Sequence, residues 1–178
     1  LKGKTFAYTD PLSNTGKLYP VRRIKELFHS TEKGFFSHTI YSHAHDNSIK
    51  LVSKNVVNAA SVDGLIFDYI LKKSPDKIKN IQIIEKSEFM WIPPVVTSKN
   101  FDKELKSKLE AIFLNIHHDP AGKNILDKLM IDKFALAQDS LYNSIIPYCL
   151  IKEWKKRLFL YSGSSPSVLF QRLSYSMQ

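Results

Sequence analysis

Short β-rich runs alternate with helical patterns through the first hundred residues, which predicts an α/β layer fold with a mostly parallel sheet. Two further observations agree. Apolar residues make up 43% and charged residues 24% of the chain, proportions that exclude disordered and fibrous classes. The length, 178 residues, suits one ordinary domain or two small lobes. No internal repeat is evident.

Taken in order, Thr5-Phe6-Ala7-Tyr8-Thr9 reads as a short buried strand, and Asp10-Pro11 turns the chain. Ser13-Asn14-Thr15-Gly16 offers N-caps ahead of apolar residues at Leu18, Val21, Ile24, Leu27 and Phe28, a helical spacing. Pro20 lies too deep for the first helical position and removes a backbone donor, so a distorted first turn is expected. Gly34 closes the connection, and Phe36 to Tyr41 alternates as a second strand. Asp46 to Val52 reads as a short helix, Ala59 to Asp63 as a short strand, and Leu65 to Lys72 as a helix. Ile81 to Glu85 and Val95 to Thr97 are β-rich. Pro93-Pro94 between them cannot sit inside a hydrogen-bonded ladder and marks a crossing or an edge. From Asp102 the pattern is helical, with Leu105, Leu109, Ile112, Phe113 and Ile116 on one stripe. Pro120 opens a further helix carrying Ile125, Leu126 and Leu129.

The formal net charge is +9, with 26 Lys and Arg against 17 Asp and Glu. Such a balance suits nucleic acid, a membrane surface or small anions without choosing among them. Residues 151–178 alone carry +4 of it and are Ser-rich, which reads as a basic, amphipathic extension ending in a loose tail. A single cysteine, Cys149, excludes a disulfide framework and a Cys-rich zinc module. No uninterrupted apolar run reaches the roughly 18 residues that a membrane span needs.

Three junctions carry the candidate chemistry. In Asp10-Pro11-Leu12-Ser13-Asn14-Thr15-Gly16, a strand feeds a helix whose first N–H groups lack intrahelical partners and point a positive dipole end outward. Short hydroxyl and amide side chains beside Gly16 let an anion approach those donors. From spacing alone a plain N-cap and turn is the commoner reading. No G-x-x-x-x-G-K-[ST] or G-x-G-x-x-G occurs, which disfavours a nucleotide phosphate loop. In Tyr41-Ser42-His43-Ala44-His45-Asp46, one imidazole N–H could face an anion. His-x-His is also half of a metal site, but further ligands are missing nearby; surface histidines capping a helix are the commonest reading of such a run. In Val62-Asp63-Gly64-Leu65-Ile66-Phe67-Asp68, Asp68 is expected at a helix start. There it either meets the dipole or accepts a hydrogen bond from a ligand hydroxyl.

In this order the motifs resemble the periplasmic phosphonate/phosphite-binding proteins of ABC transporters, a branch of the type 2 periplasmic binding fold. That family's pattern is Asp-Pro-x-Ser-Thr-Ser-Gly, a proline four residues on, Ser-His-Asp, Val-Asp followed by an acidic residue, and a His-x-Asp-Pro-x-Gly-like segment. This chain has Asp10 to Gly16, Pro20, Ala44-His45-Asp46, Val62-Asp63 with Asp68, and His118-Asp119-Pro120-Ala121-Gly122. Asn14-Thr15 stands where the family has Thr-Ser. The resemblance covers roughly residues 1–146 and implies one complete lobe, residues 1–80 (the second lobe). Residues 81–150 then return to complete the first lobe, and 151–178 extend beyond it. The chain opens on Leu1 rather than Met, and the resemblance implies a fragment lacking the N-terminal part of the first lobe.

By the same resemblance, Ser13, Asn14 and Thr15 hold the oxygens of a phosphonate, phosphite or phosphate, His45 donates to one oxygen, and Asp68 faces the ligand. The implied role is a periplasmic or extracytoplasmic solute-binding component, a monomer without cofactor or metal, whose partner is the ABC transporter's membrane permease. An extracytoplasmic sensor domain of a signalling protein is the alternative, with the stretch from Tyr142 to Tyr161 as its cue. A nucleic-acid binder is disfavoured because the cations are scattered and no RNP-like or helix-turn-helix pattern occurs. An enzyme is disfavoured because no G-x-S-x-G elbow, paired carboxylates or nucleophile-base spacing stands out.

Overall fold

The computed structural model describes residues 1–143 and 168–172. The readings placed on Cys149, and most of those on 142–178, fall outside the described residues. The chain divides into two compact units, one built on residues 1–86 and the other on residues from 87 onward.

The first unit is organised around β1 (Thr5–Tyr8), whose last three residues are buried. It pairs in parallel with β2 (His38–Tyr41) on one side, Thr5 opposite His38 and Tyr8 opposite Tyr41. On the other side lies β3 (Ala59–Ala60), with Phe6 opposite Ala59. The order β2-β1-β3 is wholly parallel. A central parallel strand covered on both faces reads as an unbroken apolar run, and Phe6-Ala7-Tyr8 does so. Asn58 fastens the start of the sheet, accepting from Thr5 N–H at 3.0 Å and donating its own N–H to Thr5 Oγ1 at 3.0 Å.

Each strand feeds a helix. After β1 comes a π-helical turn, Asn14–Leu18, that runs into α1 (Tyr19–Phe28). A single turn, α2 (Glu32–Phe35), leads into β2, and α3 (His45–Ser53) follows it. Beyond β3 lies α4 (Gly64–Lys73). The expected distortion at Pro20 takes the form of the π turn. Pro20 is the second residue of α1 and has no N–H to give Gly16 O, which instead accepts from Thr9 N at 3.4 Å. Leu18 N–H reaches back five residues to Ser13 O at 3.0 Å.

The core of this unit is aromatic. Phe6 stacks on Phe36 at 4.4 Å between centroids, and Phe35 meets Phe36 edge-on at 5.1 Å. Tyr8, Ile24 and Ala59 complete the buried cluster. Phe36 therefore belongs to the core rather than to β2, which begins two residues later.

In the second unit, α5 (Lys103–Asn115) starts on Asp102, whose Oδ1 accepts from Leu105 N at 2.7 Å. A 3₁₀ turn at Ile116–His118 leads to α6 (Pro120–Lys128), capped by Asp119 Oδ2 on Gly122 N at 2.6 Å. Phe113 packs edge-on against Phe134 of β4 (Lys133–Ala137) at 4.8 Å, while Leu105 and Ile112 of the expected stripe are exposed.

Three expectations are corrected. Ile81 to Glu85 forms no strand, and Val95 to Thr97 shrinks to an isolated bridge residue at Val95. β-branched residues form strands where a partner edge exists, and Ile83 and Ile84 stay exposed. The loose tail expected within 151–178 is corrected at residues 168–172 alone, its described part, where β5 (Val168–Arg172) pairs antiparallel with β4.

Candidate functional site

Because the three strands are parallel, the segments that follow them leave the sheet at one edge. In open α/β sheets that edge is where ligands bind. Three loops meet the description here: residues 9–13 after β1, 42–44 after β2 and 61–63 after β3.

The first loop is folded by its own short side chains. Asp10 Oδ1 accepts from Leu12 N at 2.9 Å, and Ser13 N–H donates to Asp10 O at 3.1 Å. Ser13 caps the π turn, its Oγ accepting from Gly16 N at 3.0 Å. Gly16 is required by a close approach rather than by its dihedral freedom. A Cβ there would fall onto Thr9 Oγ1, 2.8 Å from Thr9 Cβ and 2.9 Å from Ser13 Oγ. Ser13, Asn14 and Thr15, the three residues expected to hold oxygens, thus occupy one half-buried turn.

The second loop continues the ladder, with Ser42 N–H donating to Tyr8 O and His43 N–H to Thr9 O, both at 2.8 Å. His43 adopts the left-handed conformation, φ 62°, and is exposed. Inside the corner the hydroxyls of Ser42 and buried Ser48 lie 2.7 Å apart, and Ser42 Oγ–H reaches Ala44 O at 2.8 Å. His45 is the first residue of α3 and is half-buried. The two histidines of His-x-His therefore meet different surroundings. Among the described residues no group of three or more His, Cys, Asp and Glu is placed to hold a metal.

The third loop joins the other two. Ser61 Oγ–H donates to Thr15 O at 2.6 Å, and Asp63 N–H donates to His45 Nδ1 at 3.0 Å. Asp63 also caps α4, Oδ1 accepting from Leu65 N at 2.9 Å. An imidazole that accepts at Nδ1 carries its proton at Nε2. Burial holds His45 below the usual histidine range, against the Asp63 and Asp46 carboxylates, which pull the other way.

Sequence reading missed Ser61 and the role of the Asp63 main chain. The bonds they make span 46 and 18 residues, and no local pattern announces them. Asp68 was expected at a helix start. It lies in the second turn of α4, five residues past the cap, about 7.5 Å farther along the axis.

A basic side chain sits behind the first loop. Lys17, 12% exposed, pairs with Glu32 of α2 and lies 3.8 Å over the centre of the Tyr8 ring. Burial, and then the Glu32 charge, push the Tyr8 phenol well above its ordinary range. Lys17 therefore has its counter-charge within the fold.

Comparison with known proteins bears on this geometry. The model of a family described as "ABC transporter, phosphonate, periplasmic substrate-binding protein" matches residues 1–142. The chain is 26% identical over 152 residues to the Phosphonates-binding periplasmic protein of Escherichia coli (strain K12), covering 85% of this chain and 44% of that protein. It is 22% identical over 156 residues to the Probable ABC transporter phosphite binding protein PhnD1 of Prochlorococcus marinus (strain MIT 9301), covering 82% and 50%. The chain thus spans about half the length of these curated relatives. Among solved structures, PhnD1 from Prochlorococcus marinus (MIT 9301) in complex with methylphosphonate superposes with a TM-score of 0.67 at 21% identity, over 88% of this chain and 58% of that one. That likeness establishes the α/β architecture with a mostly parallel sheet as type 2 periplasmic-binding-protein-like. With the family model matched over most of its length, the chain belongs to the phosphonate periplasmic substrate-binding proteins of ABC transporters, a family of binding proteins rather than enzymes.

Proposed function

We propose that this chain carries the phosphorus-oxyanion-binding half of an ABC-transporter solute-binding protein that works outside the cytoplasmic membrane. The observation that carries the reading is the convergence of three loops at one sheet edge, with the Ser13–Thr15 turn and His45 both hydrogen-bonded to the loop at 61–63. In this reading Ser13, Asn14 and Thr15, with main-chain N–H groups of the π turn, hold the oxygens of a phosphonate, phosphite or phosphate. His45 donates from Nε2, and Asp68 faces the ligand from α4. Charge-assisted hydrogen bonds contribute about 1.5–3 kcal/mol each. A handful drawn from both lobes supports capture near micromolar concentration, about −8 kcal/mol, and the share borne by this chain alone falls towards millimolar. Residues 1–80 then correspond to the second lobe and 81–150 to the returning part of the first. The partners are the small anion and a membrane permease, and the chain acts as a monomer.

Thermal shift with phosphate, phosphite, methylphosphonate and 2-aminoethylphosphonate, beside a short DNA duplex, tests the reading. At least one phosphorus oxyanion stabilises the protein, and Ser13→Ala or His45→Ala abolishes that shift. Stabilisation by the duplex alone would remove the reading.

A further inference from the structure

The anion reading draws its donors from the loops after β1 and β2. The loop after β3 supplies neither Ser13–Thr15 nor His45, yet it makes a hydrogen bond to each: Ser61 Oγ–H to Thr15 O at 2.6 Å and Asp63 N–H to His45 Nδ1 at 3.0 Å. The Asp63 carboxylate is engaged at the same time with Leu65 N. Resting on that reading, we propose that Ser61 and the main chain of Asp63 are positioning residues of the anion site. Ser61 holds Thr15 in place, and Asp63 locks His45 as a neutral imidazole that presents its one N–H, on Nε2, to the ligand.

The lock follows from the inventory of donors. A proton on Nδ1 would set an N–H against the Asp63 N–H, breaking the bond and leaving both groups to find other partners. The charged groups facing His45 are the carboxylates of Asp63, at the start of α4, and Asp46, beside it on α3, and both favour the imidazolium. Burial opposes them and prevails. Lys17, the part-buried cation nearest in sequence to the Ser13–Thr15 turn, is committed to Glu32 and the Tyr8 face. Recognition then rests on hydrogen-bond geometry from neutral donors, and capture of the anion places no proton on His45.

Two measurements test this, and they fail separately from the anion reading. Long-range ¹H–¹⁵N NMR of the histidine ring, at pH 7 in the free protein, reports a neutral His45 with its proton on Nε2. Methylphosphonate at saturating concentration leaves that state unchanged. An imidazolium, or a proton on Nδ1, in either sample overturns the lock. The second measurement is calorimetric affinity for methylphosphonate. Ser61→Ala binds roughly threefold or more weakly, the low end for one lost hydrogen bond, whereas Ser61→Thr, which keeps the hydroxyl, binds as the parent does. Unchanged affinity in Ser61→Ala overturns the positioning role. Should methylphosphonate and the other oxyanions all fail to bind, the anion reading falls, while the tautomer in the free protein still decides whether Asp63 fixes His45.

Discussion

Gly16→Ala separates two opposing effects. Gly16 lies inside a helical turn and its φ is not in the left-handed region. Propensity by itself therefore predicts a gain of up to about 1 kcal/mol for alanine. The surroundings predict the reverse. The new Cβ would overlap Thr9 Oγ1 and lie 2.8 Å from Thr9 Cβ, so rotating the threonine does not relieve it. Thr9 is 2% exposed and held at the end of β1 by His43 N–H on its carbonyl at 2.8 Å. The turn must move off the strand. Overpacking of this kind costs about 1–3 kcal/mol, and the Thr9 N–H to Gly16 O bond is lost with it, about 1 kcal/mol more. The expected net effect is a loss of about 2 kcal/mol, read from urea denaturation followed by tyrosine fluorescence. Gly64→Ala is the internal control. It sits at the first position of α4 with no atom within 4 Å of its would-be Cβ, so it changes stability little or raises it. If Gly16→Ala proved as stable as the parent, the close packing of turn on strand would be refuted.

Gly122→Ala is expected to destabilise the second unit by about 1–3 kcal/mol in the same assay, because its Cβ would meet the Ile116 carbonyl and lie 2.5 Å from Ile116 Cγ1. Lys17→Met removes the cation from Glu32, 28% exposed, and from the Tyr8 face. A loss of about 1–2 kcal/mol, between the exposed and the buried limits for a broken pair, is expected. The Tyr8 phenol has its folded pKa raised above the ordinary 10.0, so its contribution is complete below that pH. It declines as alkali ionises the unfolded chain, and Tyr8→Phe flattens the decline in denaturation midpoints above pH 10. His45 has the opposite sign. Its folded pKa lies below the ordinary 6.5, so the stability it carries is present above that value and is lost on acidification below it. His45→Asn, which can still accept from Asp63 N–H, removes that part of the acid sensitivity.

The elements legible in advance are those announced by local chemistry. Ser13, one of the short oxygens offered as N-caps, caps the turn that follows it, and Pro120 opens α6 as its place before apolar periodicity implies. Pro20 foretold a disturbed turn because a missing donor is a local fact. Ile81 to Glu85 shows the limit: its residues favour strands, but a strand is a property of two segments. β4 escaped notice for a related reason, since Lys133–Ala137 pairs with Val168–Arg172, about thirty residues away across a Ser-rich stretch. At the site, Ser13, Asn14, Thr15 and His45 stood out as residue types at strand-to-helix junctions. Ser61 did not, because its importance lies in a bond to Thr15 across 46 residues.

The turn that bears Asn14 and Thr15 is tethered at two points, by Thr9 N–H to the Gly16 carbonyl and by Ser61 to the carbonyl of Thr15. Its conformational freedom is surrendered while the polypeptide folds, before any solute arrives. On the proposed reading, an incoming oxyanion would meet a receptor already shaped, and little of the interaction free energy would be consumed in arranging it. Under that reading, discrimination by size would depend on the spacing of main-chain amides, which side-chain drift alters slowly.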